Sequence, residues 1–338
     1  MLIEKIKTSF ELYQSFDNFD EKLNFFKCLF YNLKPQTLKK NKINFLPLSA
    51  SIYINTICNY RCSFCFLINE DHKGSKKMNM DTLTFNKIIN SDFLKFAKRI
   101  TLGGGEPYLN KNIFEFIKIL KHKKKIISIY TNGSLINRNY ENFIENQPTY
   151  MNISHYDDKF EDLKENFKKY NNDPKKTSIS RLSKIIRSDN LENMEFAINE
   201  ALDANFDRII FQNYFPYKSE ENYLVLQNNN KKFKELKVNL NNKYSKKIKI
   251  IWPNILNMKK KFNCNNISTT TTIDSNGNLA KCCFLTPPHP KDGNIFKPVK
   301  EVWNSAELQN FRGQYGKTEV KKECQYCYFK NGLDNRTL

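Results

Sequence analysis

Three cysteines stand close together in the segment CNYRCSFC, which runs from residue 58 to residue 65. Their spacing is Cys58-x3-Cys62-x2-Cys65. A structural zinc site closes with four protein ligands, which zinc ribbons and fingers supply as two pairs. Three thiolates from one short loop instead hold a metal centre with one position left open. The segment therefore predicts a metal centre that binds a further ligand.

A second group of cysteines lies near the end of the chain and comprises Cys264, Cys282, Cys283, Cys324 and Cys327. Cys264 is followed by twelve residues, Gly277, four residues and Cys282. Between them, TTTTIDSNGNLAKC places strand-forming residues on both sides of an Asn-Gly turn, a pattern typical of a β-hairpin. Such a hairpin brings its flanking thiols toward one site.

Composition favours a cytoplasmic protein with metal or redox chemistry. The nine cysteines are an odd number, and in a reducing compartment clustered cysteines indicate metal binding rather than disulfides. The N-terminus lacks a signal-peptide pattern, and the chain lacks an apolar run of the ~18 residues that a membrane span needs. The net charge of +20 is compatible with an anionic partner. Without a recognisable RNA-binding module, however, nucleic acid is not the expected partner.

The elements that position these cysteines follow an alternating pattern. Six short β-rich runs, from SASIYINT to DRIIFQNY, alternate with amphipathic helical segments, which indicates right-handed βαβ units and a parallel sheet. Six units fall short of the eight of a full barrel, so the expected fold is α/β, a partial (β/α)6 TIM-like barrel. We expect four regions: an N-terminal helical extension at 1–46, the barrel at 47–216, a helical linker at 217–262 and a C-terminal domain at 263–338.

Polar segments follow the predicted strands. The first cysteine loop follows the first strand, GGGEP (103–107) ends the second and YTNGS (130–134) the third. ISHYDD (153–158) ends the fourth strand, and QNY (212–214) the sixth. Because chemistry in such folds lies at the carboxyl ends of the strands, these segments predict one active rim.

In this setting the first cysteine loop, with Phe64 before its last thiol, resembles the cluster loop of radical S-adenosylmethionine (radical SAM) enzymes. The resemblance implies that Cys58, Cys62 and Cys65 bind a [4Fe–4S] cluster whose fourth iron is chelated by S-adenosylmethionine. It also implies reductive cleavage of S-adenosylmethionine to a 5′-deoxyadenosyl radical that abstracts hydrogen from a substrate. Half of a zinc site is the alternative for this loop.

The same resemblance assigns cofactor-binding roles at the other strand ends. Gly104, Gly105 and Glu106 match the motif that holds the amino group of S-adenosylmethionine, with Phe64 also counted among the cofactor-binding residues. Asn132 and Ser154 match places where relatives contact its ribose or methionine part, and Arg187 is expected to reach its carboxylate. For these last three, an ordinary turn or capping role is the alternative.

The C-terminal cysteines resemble the auxiliary-cluster extension called SPASM, whose short version is the twitch domain. The resemblance implies one auxiliary [4Fe–4S] cluster for electron transfer, held by Cys264, Cys282, Cys324 and Cys327. Cys283 is adjacent to Cys282 and is the alternative ligand, although the spacing favours Cys282. A zinc site with four cysteines is the competing interpretation.

The expected function is that of a radical SAM oxidoreductase, a dehydrogenase or epimerase, acting on a small polar substrate such as a sugar or nucleotide-linked sugar. A peptide-modifying or protein-modifying maturase is the second hypothesis, and a non-catalytic iron–sulfur binding or sensing protein is the third. A flavodoxin-type or ferredoxin-type electron donor is the expected partner. Candidate bases are His155, Asp157 and Tyr214, and Cys283 is the candidate hydrogen-atom donor. A structural role is the alternative for His155.

Overall fold

The computed structural model describes residues 12–34, 38–63, 65, 78–284, 288 and 290–331, so the predicted cofactor residue Phe64 lies outside the described residues. Within them, nine strands form one sheet in the order β7-β6-β5-β4-β3-β2-β1-β8-β9. Neighbouring strands run parallel, except that β9 is antiparallel to β8. The strands are β1 Ser49–Asn55, β2 Arg99–Gly104, β3 Ile126–Thr131, β4 Tyr150–Ser154, β5 Ile179–Ile186, β6 Arg208–Asn213, β7 Lys249–Ile251, β8 Thr270–Ile273 and β9 Leu279–Ala280.

Helices join most of the parallel strands. The α-helices of the described residues are α1 Phe19–Leu33, α2 Thr82–Ile89, α3 Ile113–His122, α4 Tyr140–Glu145, α5 Phe160–Asn172, α6 Asn193–Asp203, α7 Lys231–Tyr244, α8 Asn266–Thr269, α9 Val299–Trp303, α10 Ala306–Arg312 and α11 Lys322–Gln325. Within the described part of the chain, no helix combines the length and apolar composition that a membrane crossing requires.

The two faces of the sheet differ in chemistry. Alternate strand residues such as Ile52, Leu102 and Leu182 are fully buried and belong to the hydrophobic clusters that also contain the helices. Because side chains alternate along a strand, the residues between them face the opposite side. We call that opposite side the inner face.

The inner face is polar. Asn152 on β4 donates to Ser128 Oγ on β3 at 2.8 Å, and Gln212 on β6 donates to Ser183 Oγ on β5. At the other end of the sheet, the hydroxyls of Ser49 and Thr270 lie 3.1 Å apart. These cross-strand contacts place polar side chains along one surface, which has the character of a binding surface rather than of a second hydrophobic core.

The predicted α/β fold is confirmed, with differences in extent. The sheet is open, and it has strands beyond the six predicted. The segment expected to be a helical linker contains α7 but also β7, which pairs with β6. The predicted hairpin is present as β8 and β9, but β8 also pairs with β1, so the hairpin continues the barrel sheet. These pairings join residues far apart in sequence, which local patterns do not reveal.

Candidate active site

The first cysteine loop begins after β1 and is held by its own backbone. Cys58 Sγ accepts a hydrogen bond from the Tyr60 amide at 3.4 Å, and the Arg61 guanidinium donates to the Cys58 carbonyl at 2.6 Å. Burial raises the pKa of the Cys58 thiol, and repulsion from Glu106 and Cys62 raises it further, although the Tyr60 amide acts against this. Cys58, Cys62 and Glu106 therefore share one neighbourhood, as the two motifs predict.

The glycines after β2 are required by close packing of the chain against this loop. A Cβ on Gly104 would lie 2.1 Å from the Asn55 carbonyl oxygen, and one on Gly105 would lie 2.1 Å from the Ile57 carbonyl oxygen. Gly104 also has a φ of +116°, which side chains disfavour. The glycines of the motif thus have a structural role whatever they bind.

Gly103 differs from the two glycines that follow it. A Cβ placed there would meet nothing within 4 Å, so the position borders open space. A ligand can therefore approach the backbone closely at Gly103. Sequence analysis missed this residue, although the run of three glycines was a usable signal.

Glu106 is buried, with 1% of its surface exposed, and three protein donors already hold its carboxylate. Thr131 Oγ1 donates at 2.7 Å, the Asn132 amide at 2.8 Å and the Tyr108 amide at 3.1 Å. Burial raises the pKa of Glu106, and these hydrogen bonds oppose the rise. The side chain joins the ends of β2 and β3. Because a carboxylate has about four acceptor positions, it retains some capacity for a cofactor amine.

Asn132 and Ser154 both lie beside the cysteine loop, whereas Arg187 is engaged elsewhere. Asn132 Nδ2 donates to Asn59 Oδ1 at 2.9 Å and so ties β3 to the loop. Ser154 forms a hydrogen bond with the Tyr156 side chain. The Arg187 guanidinium donates to both carboxylate oxygens of Asp189, at 2.8 and 3.2 Å, in a solvent-accessible pair. The cofactor role of all three residues stays a prediction.

Tyr156 is a site residue that the sequence analysis missed. Its ring packs edge-on against Tyr60 with 5.4 Å between centroids, and its side chain forms a hydrogen bond with Cys62. Burial raises the pKa of Tyr156, and the hydrogen bond with Cys62 raises it further. Hydrogen bonds to ligand sulfurs are one means by which a protein tunes an iron–sulfur centre.

The candidate base His155 is buried in a polar cluster outside the inner face, and the candidate base Asp157 lies at the exposed edge of that cluster. His155 Nε2 lies 2.6 Å from Glu200 Oε2, and its Nδ1 lies 3.2 Å from Lys184 Nζ, which also pairs with Asp157. Lys184 lies between inner-face residues along β5, so its side chain points to the opposite face of the sheet, toward the helices. Glu200 is on α6, and the cluster therefore lies between the sheet and the helices. This geometry favours a positioning role for His155.

Tyr214, the third candidate base, follows β6. Its hydroxyl donates to Glu221 Oε2 at 2.8 Å. Burial raises the pKa of Tyr214, and the Glu221 carboxylate raises it further, which makes the phenol a poor base at neutral pH. The structure does not bring Tyr214 into the His155 cluster.

Tyr217 links the two cysteine groups. Burial raises its pKa, and Tyr53, Cys65 and Cys283 raise it further by electrostatic repulsion. A thiol of each cysteine group is therefore close enough to Tyr217 to influence its ionisation. No local pattern in the sequence marks Tyr217, because its relation to both groups depends on the tertiary fold.

The C-terminal thiols converge in a buried site. Cys264, Cys324 and Cys327 are buried, and none of the nine cysteines, all within the described residues, forms a disulfide. Burial raises the pKa of Cys324 to about 11. The Tyr315 hydroxyl donates to the Cys264 carbonyl at 2.8 Å, and the Cys327 amide donates to the Cys324 carbonyl at 3.3 Å. Several backbone segments thus hold the thiols together.

Cys283, rather than its neighbour Cys282, lies beside the segment that carries Cys264: the Asn266 side-chain amide donates to Cys283 Sγ at 3.9 Å. Burial is the main cause of the raised pKa of Cys264 and of Cys327, and for both residues repulsion from Cys283 adds to it. The Cys282 thiol instead accepts a hydrogen bond from the Phe284 amide at 3.4 Å. This geometry favours Cys283 for the fourth position, whereas the sequence spacing favours Cys282.

A buried lysine from the N-terminal segment lies beside Cys264. Lys39 Nζ donates to Asn263 Oδ1 at 2.6 Å and to Asn265 Oδ1 at 2.9 Å, the residues on either side of Cys264. Burial lowers the pKa of Lys39 to about 8, and attraction to the Cys264 thiolate opposes the fall. The N-terminal segment therefore supplies a cation to the C-terminal cysteine site.

The residues present suit iron–sulfur clusters. Within the described residues, no group of three or more His, Cys, Asp or Glu side chains is arranged to hold a single metal ion. The thiols of a [4Fe–4S] cluster bind separate iron atoms and stand further apart than the ligands of one ion. The donor set consists of free thiols in two groups, and thiolates are the ligands of iron–sulfur clusters.

Curated relatives match only part of the chain. A "Probable GTP 3',8-cyclase" of Methanococcus maripaludis is 32% identical over 91 residues, which are 27% of this chain and 30% of that protein. An "S-adenosylmethionine-dependent nucleotide dehydratase" of Psychrobacter lutiphocae is 34% identical over 119 residues, 31% of this chain and 39% of that protein. The matches thus span about a third of each relative's length.

Solved structures share the fold over most of the chain. Streptococcus suis SuiB bound to its precursor peptide SuiA has a TM-score of 0.62 at 16% identity, covering 92% of this chain and 74% of that one. The protein called anSMEcpe, with bound AdoMet, has a TM-score of 0.59 at 18% identity and covers 84% of each chain. At this identity the likeness shows the fold alone.

Two family models match the chain at the two cysteine groups. The model of the "Radical SAM superfamily" matches residues 52–224, more than half of the chain, and the "Iron-sulfur cluster-binding domain" called SPASM matches residues 264–328. These matches confirm the predicted cofactors, [4Fe–4S] clusters together with S-adenosylmethionine. The chain belongs to the radical SAM superfamily and carries a SPASM domain after its barrel.

Proposed function

We propose that this radical SAM enzyme is an oxidoreductase that acts on a small polar substrate of the sugar or nucleotide-sugar type. The observation that carries the proposal is the stacking of Phe215, which follows β6, on Phe284, the residue after Cys283, with 4.3 Å between ring centroids. Tyr217 packs against Phe215 at 5.1 Å, so the segment after β6 reaches the C-terminal cysteine group. A substrate at this rim is near both groups, as an oxidation that passes an electron to an auxiliary centre requires.

The proposed ligands are Cys58, Cys62 and Cys65 for the first cluster. For the auxiliary cluster we propose Cys264, Cys324, Cys327 and one of the adjacent pair Cys282 and Cys283, with Cys283 favoured by proximity. When bound, the first cluster supplies the electron that cleaves S-adenosylmethionine and so generates the radical that abstracts hydrogen. A flavodoxin-type or ferredoxin-type protein is the proposed source of that electron.

The chain's own residues prepare the cofactor site. Glu106 fixes the ends of β2 and β3 through Thr131 and Asn132, and Asn132 in turn holds the cysteine loop through Asn59. Tyr156 forms a hydrogen bond with Cys62. Gly103 leaves room for the cofactor beside these groups. Together they pre-organise the loop before any ligand binds.

A small polar substrate agrees with the polar inner face and with the names of two curated relatives, a GTP cyclase and a nucleotide dehydratase, which refer to nucleotide substrates. Those matches span less than a third of this chain, so they support the proposal without identifying the substrate. A peptide substrate is the second candidate, because the SuiB structure, which contains a precursor peptide, shares the fold over most of this chain.

The test is turnover in deuterated water with sugar nucleotides and peptides as candidate substrates. An oxidation predicts a product two hydrogens lighter than the substrate, without solvent deuterium at carbon. A redox-neutral product that carries solvent deuterium would contradict the dehydrogenase proposal and indicate an epimerase. In that case the donor would be whichever of Cys282 and Cys283 does not ligate the auxiliary cluster, and it would be identified by loss of the label in its Ala variant with the iron content unchanged. Iron–sulfur loading without any S-adenosylmethionine cleavage would favour the binding or sensing protein.

A further inference from the structure

Arg181 is a buried cation on the inner face of the sheet. Its neighbour on β5, Leu182, faces the helices, so the Arg181 side chain faces the inner side. Only 4% of the surface of Arg181 is exposed. Its guanidinium carbon lies 3.6 Å from the centroid of the Tyr150 ring, and its Nε has no hydrogen-bond partner. An unpaired polar atom so deeply buried is costly, which points to a ligand as its partner.

A second arginine lies beside it. Arg208 begins β6 and is paired in register with Arg181, while Asn152 on β4 is the register partner on the other side. The Oδ1 atom of Asn152 is buried and has no partner either. The inner face thus presents guanidinium donors and an amide acceptor on three neighbouring strands.

Two other arginines of the strands act electrostatically on Arg181. Burial lowers the pKa of Arg181 to about 10, and both Arg208 and Arg99 lower it further. Arg99 is on β2, three strand spacings from β5, or roughly 14 Å away in a flat sheet. Arg99 alternates on β2 with the fully buried Ile100, so its side chain lies on the same inner face as that of Arg181.

The strands supply no carboxylate to balance this charge. None of the nine described strands contains Asp or Glu. The strongest electrostatic influences on Arg181 come from two tyrosines and two arginines. Bringing like charges together in a buried place is unfavourable unless an anion joins them.

We propose that Arg181 and Arg208 bind the phosphate end of the substrate on the inner face. The guanidinium fork donates two parallel hydrogen bonds to phosphate oxygens, and Asn152 Oδ1 accepts from a neighbouring hydroxyl. Arg208 lies five residues before the end of β6, a depth of roughly 16 Å from the rim at the usual rise per residue. A substrate that spans this depth is elongated, which matches a sugar carried on a diphosphate. The inference rests on the proposed function, since it names the substrate class of the same site.

The test is calorimetric binding of inorganic pyrophosphate to the reconstituted full-length protein at physiological ionic strength. R181Q and R208Q are each expected to weaken binding by about tenfold or more. The matched control is R138Q, which removes an exposed arginine between β3 and α4. Arg208 is less buried than Arg181, so R208Q is expected to disturb folding less. The binding of pyrophosphate to R208Q therefore decides the test even if R181Q is unstable.

Unchanged affinity in R208Q, or an equal loss in R138Q, would overturn the proposal, because binding would then be absent from the inner face or non-specific. Formation of 5′-deoxyadenosine is measured on the same samples. Pyrophosphate binding without S-adenosylmethionine cleavage would contradict the proposed function and leave the anion site standing. If S-adenosylmethionine is cleaved but R181Q and R208Q bind pyrophosphate as the wild type does, the anion site alone would be contradicted.

Discussion

At the scale of single residues, several groups with catalytic chemistry are occupied in holding the protein together. Glu106 is bound by three protein donors, and His155 is sandwiched between Glu200 and Lys184. Residue type and strand-end position predict where such groups lie. They do not predict toward which side of the sheet a side chain points, and that side decides whether it meets substrate or helix.

For His155 we expect the H155N variant to lose about 2 kcal/mol of unfolding free energy, because Glu200 loses a close charged hydrogen bond. Cleavage of S-adenosylmethionine should persist, since the ring lies between β4 and α6. Urea unfolding and 5′-deoxyadenosine formation measure the two effects. Wild-type stability together with lost product formation would instead support a role as base.

For the adjacent cysteines we expect C283S to lose the auxiliary cluster, reducing iron to about half, because a site with four thiolates rarely survives the loss of one. C282S should retain nearly all of the iron. Iron and sulfide analysis, with Mössbauer spectra, distinguishes the two variants. The reverse outcome would restore the assignment that the sequence spacing favours, and stoichiometric zinc would replace the auxiliary cluster altogether.

At the scale of elements, the sequence predicted six parallel strands and the hairpin because their patterns are local. The β-rich runs end at Gly, Asn or polar segments, and the Asn-Gly turn closes the hairpin with Gly277 at a φ of +76°. The pairing of β8 with β1 was not predictable, since it joins residues more than two hundred positions apart. The short strand β7 was missed because three residues carry too little pattern.

The glycine run after β2 gives a prediction at this scale. G105A should destabilise the protein by about 2 kcal/mol, because its Cβ would meet the Ile57 carbonyl and displace the cysteine loop. G103A is its matched partner and should fold with nearly wild-type stability while binding S-adenosylmethionine more weakly. Thermal unfolding and equilibrium dialysis measure these effects. Wild-type cofactor affinity in G103A would show that the open space at Gly103 is not part of the site.

The N-terminal segment gives another prediction through Lys39. The K39M variant should shift the auxiliary cluster to a more negative reduction potential, because a buried positive charge next to Cys264 favours the reduced, more negative cluster. The first cluster should be unaffected. An EPR redox titration measures both centres, with exposed Lys300 on α9, changed to Met, as the control. Equal potentials in wild type and K39M would remove Lys39 from the tuning of the site.

At the scale of the whole molecule, the two cysteine groups are joined by one sheet. Because β8 pairs with β1, the chain after Cys264 is connected to the strand that leads to Cys58. This continuity, together with Tyr217 between the groups, suits a reaction that begins at one centre and passes an electron to the other. Neither the sheet continuity nor the inner-face arginines could be inferred from spacing, because both depend on which strands become neighbours.

The central claim is that the loop at Cys58, Cys62 and Cys65 supports reductive cleavage of S-adenosylmethionine. The most direct measurement is 5′-deoxyadenosine formation by the reconstituted, dithionite-reduced protein, quantified by mass spectrometry. The account predicts formation by the wild type and none by C58A, C62A or C65A, each of which keeps about half of the iron in the auxiliary site. Product at half the wild-type level or more in any of these variants would contradict it.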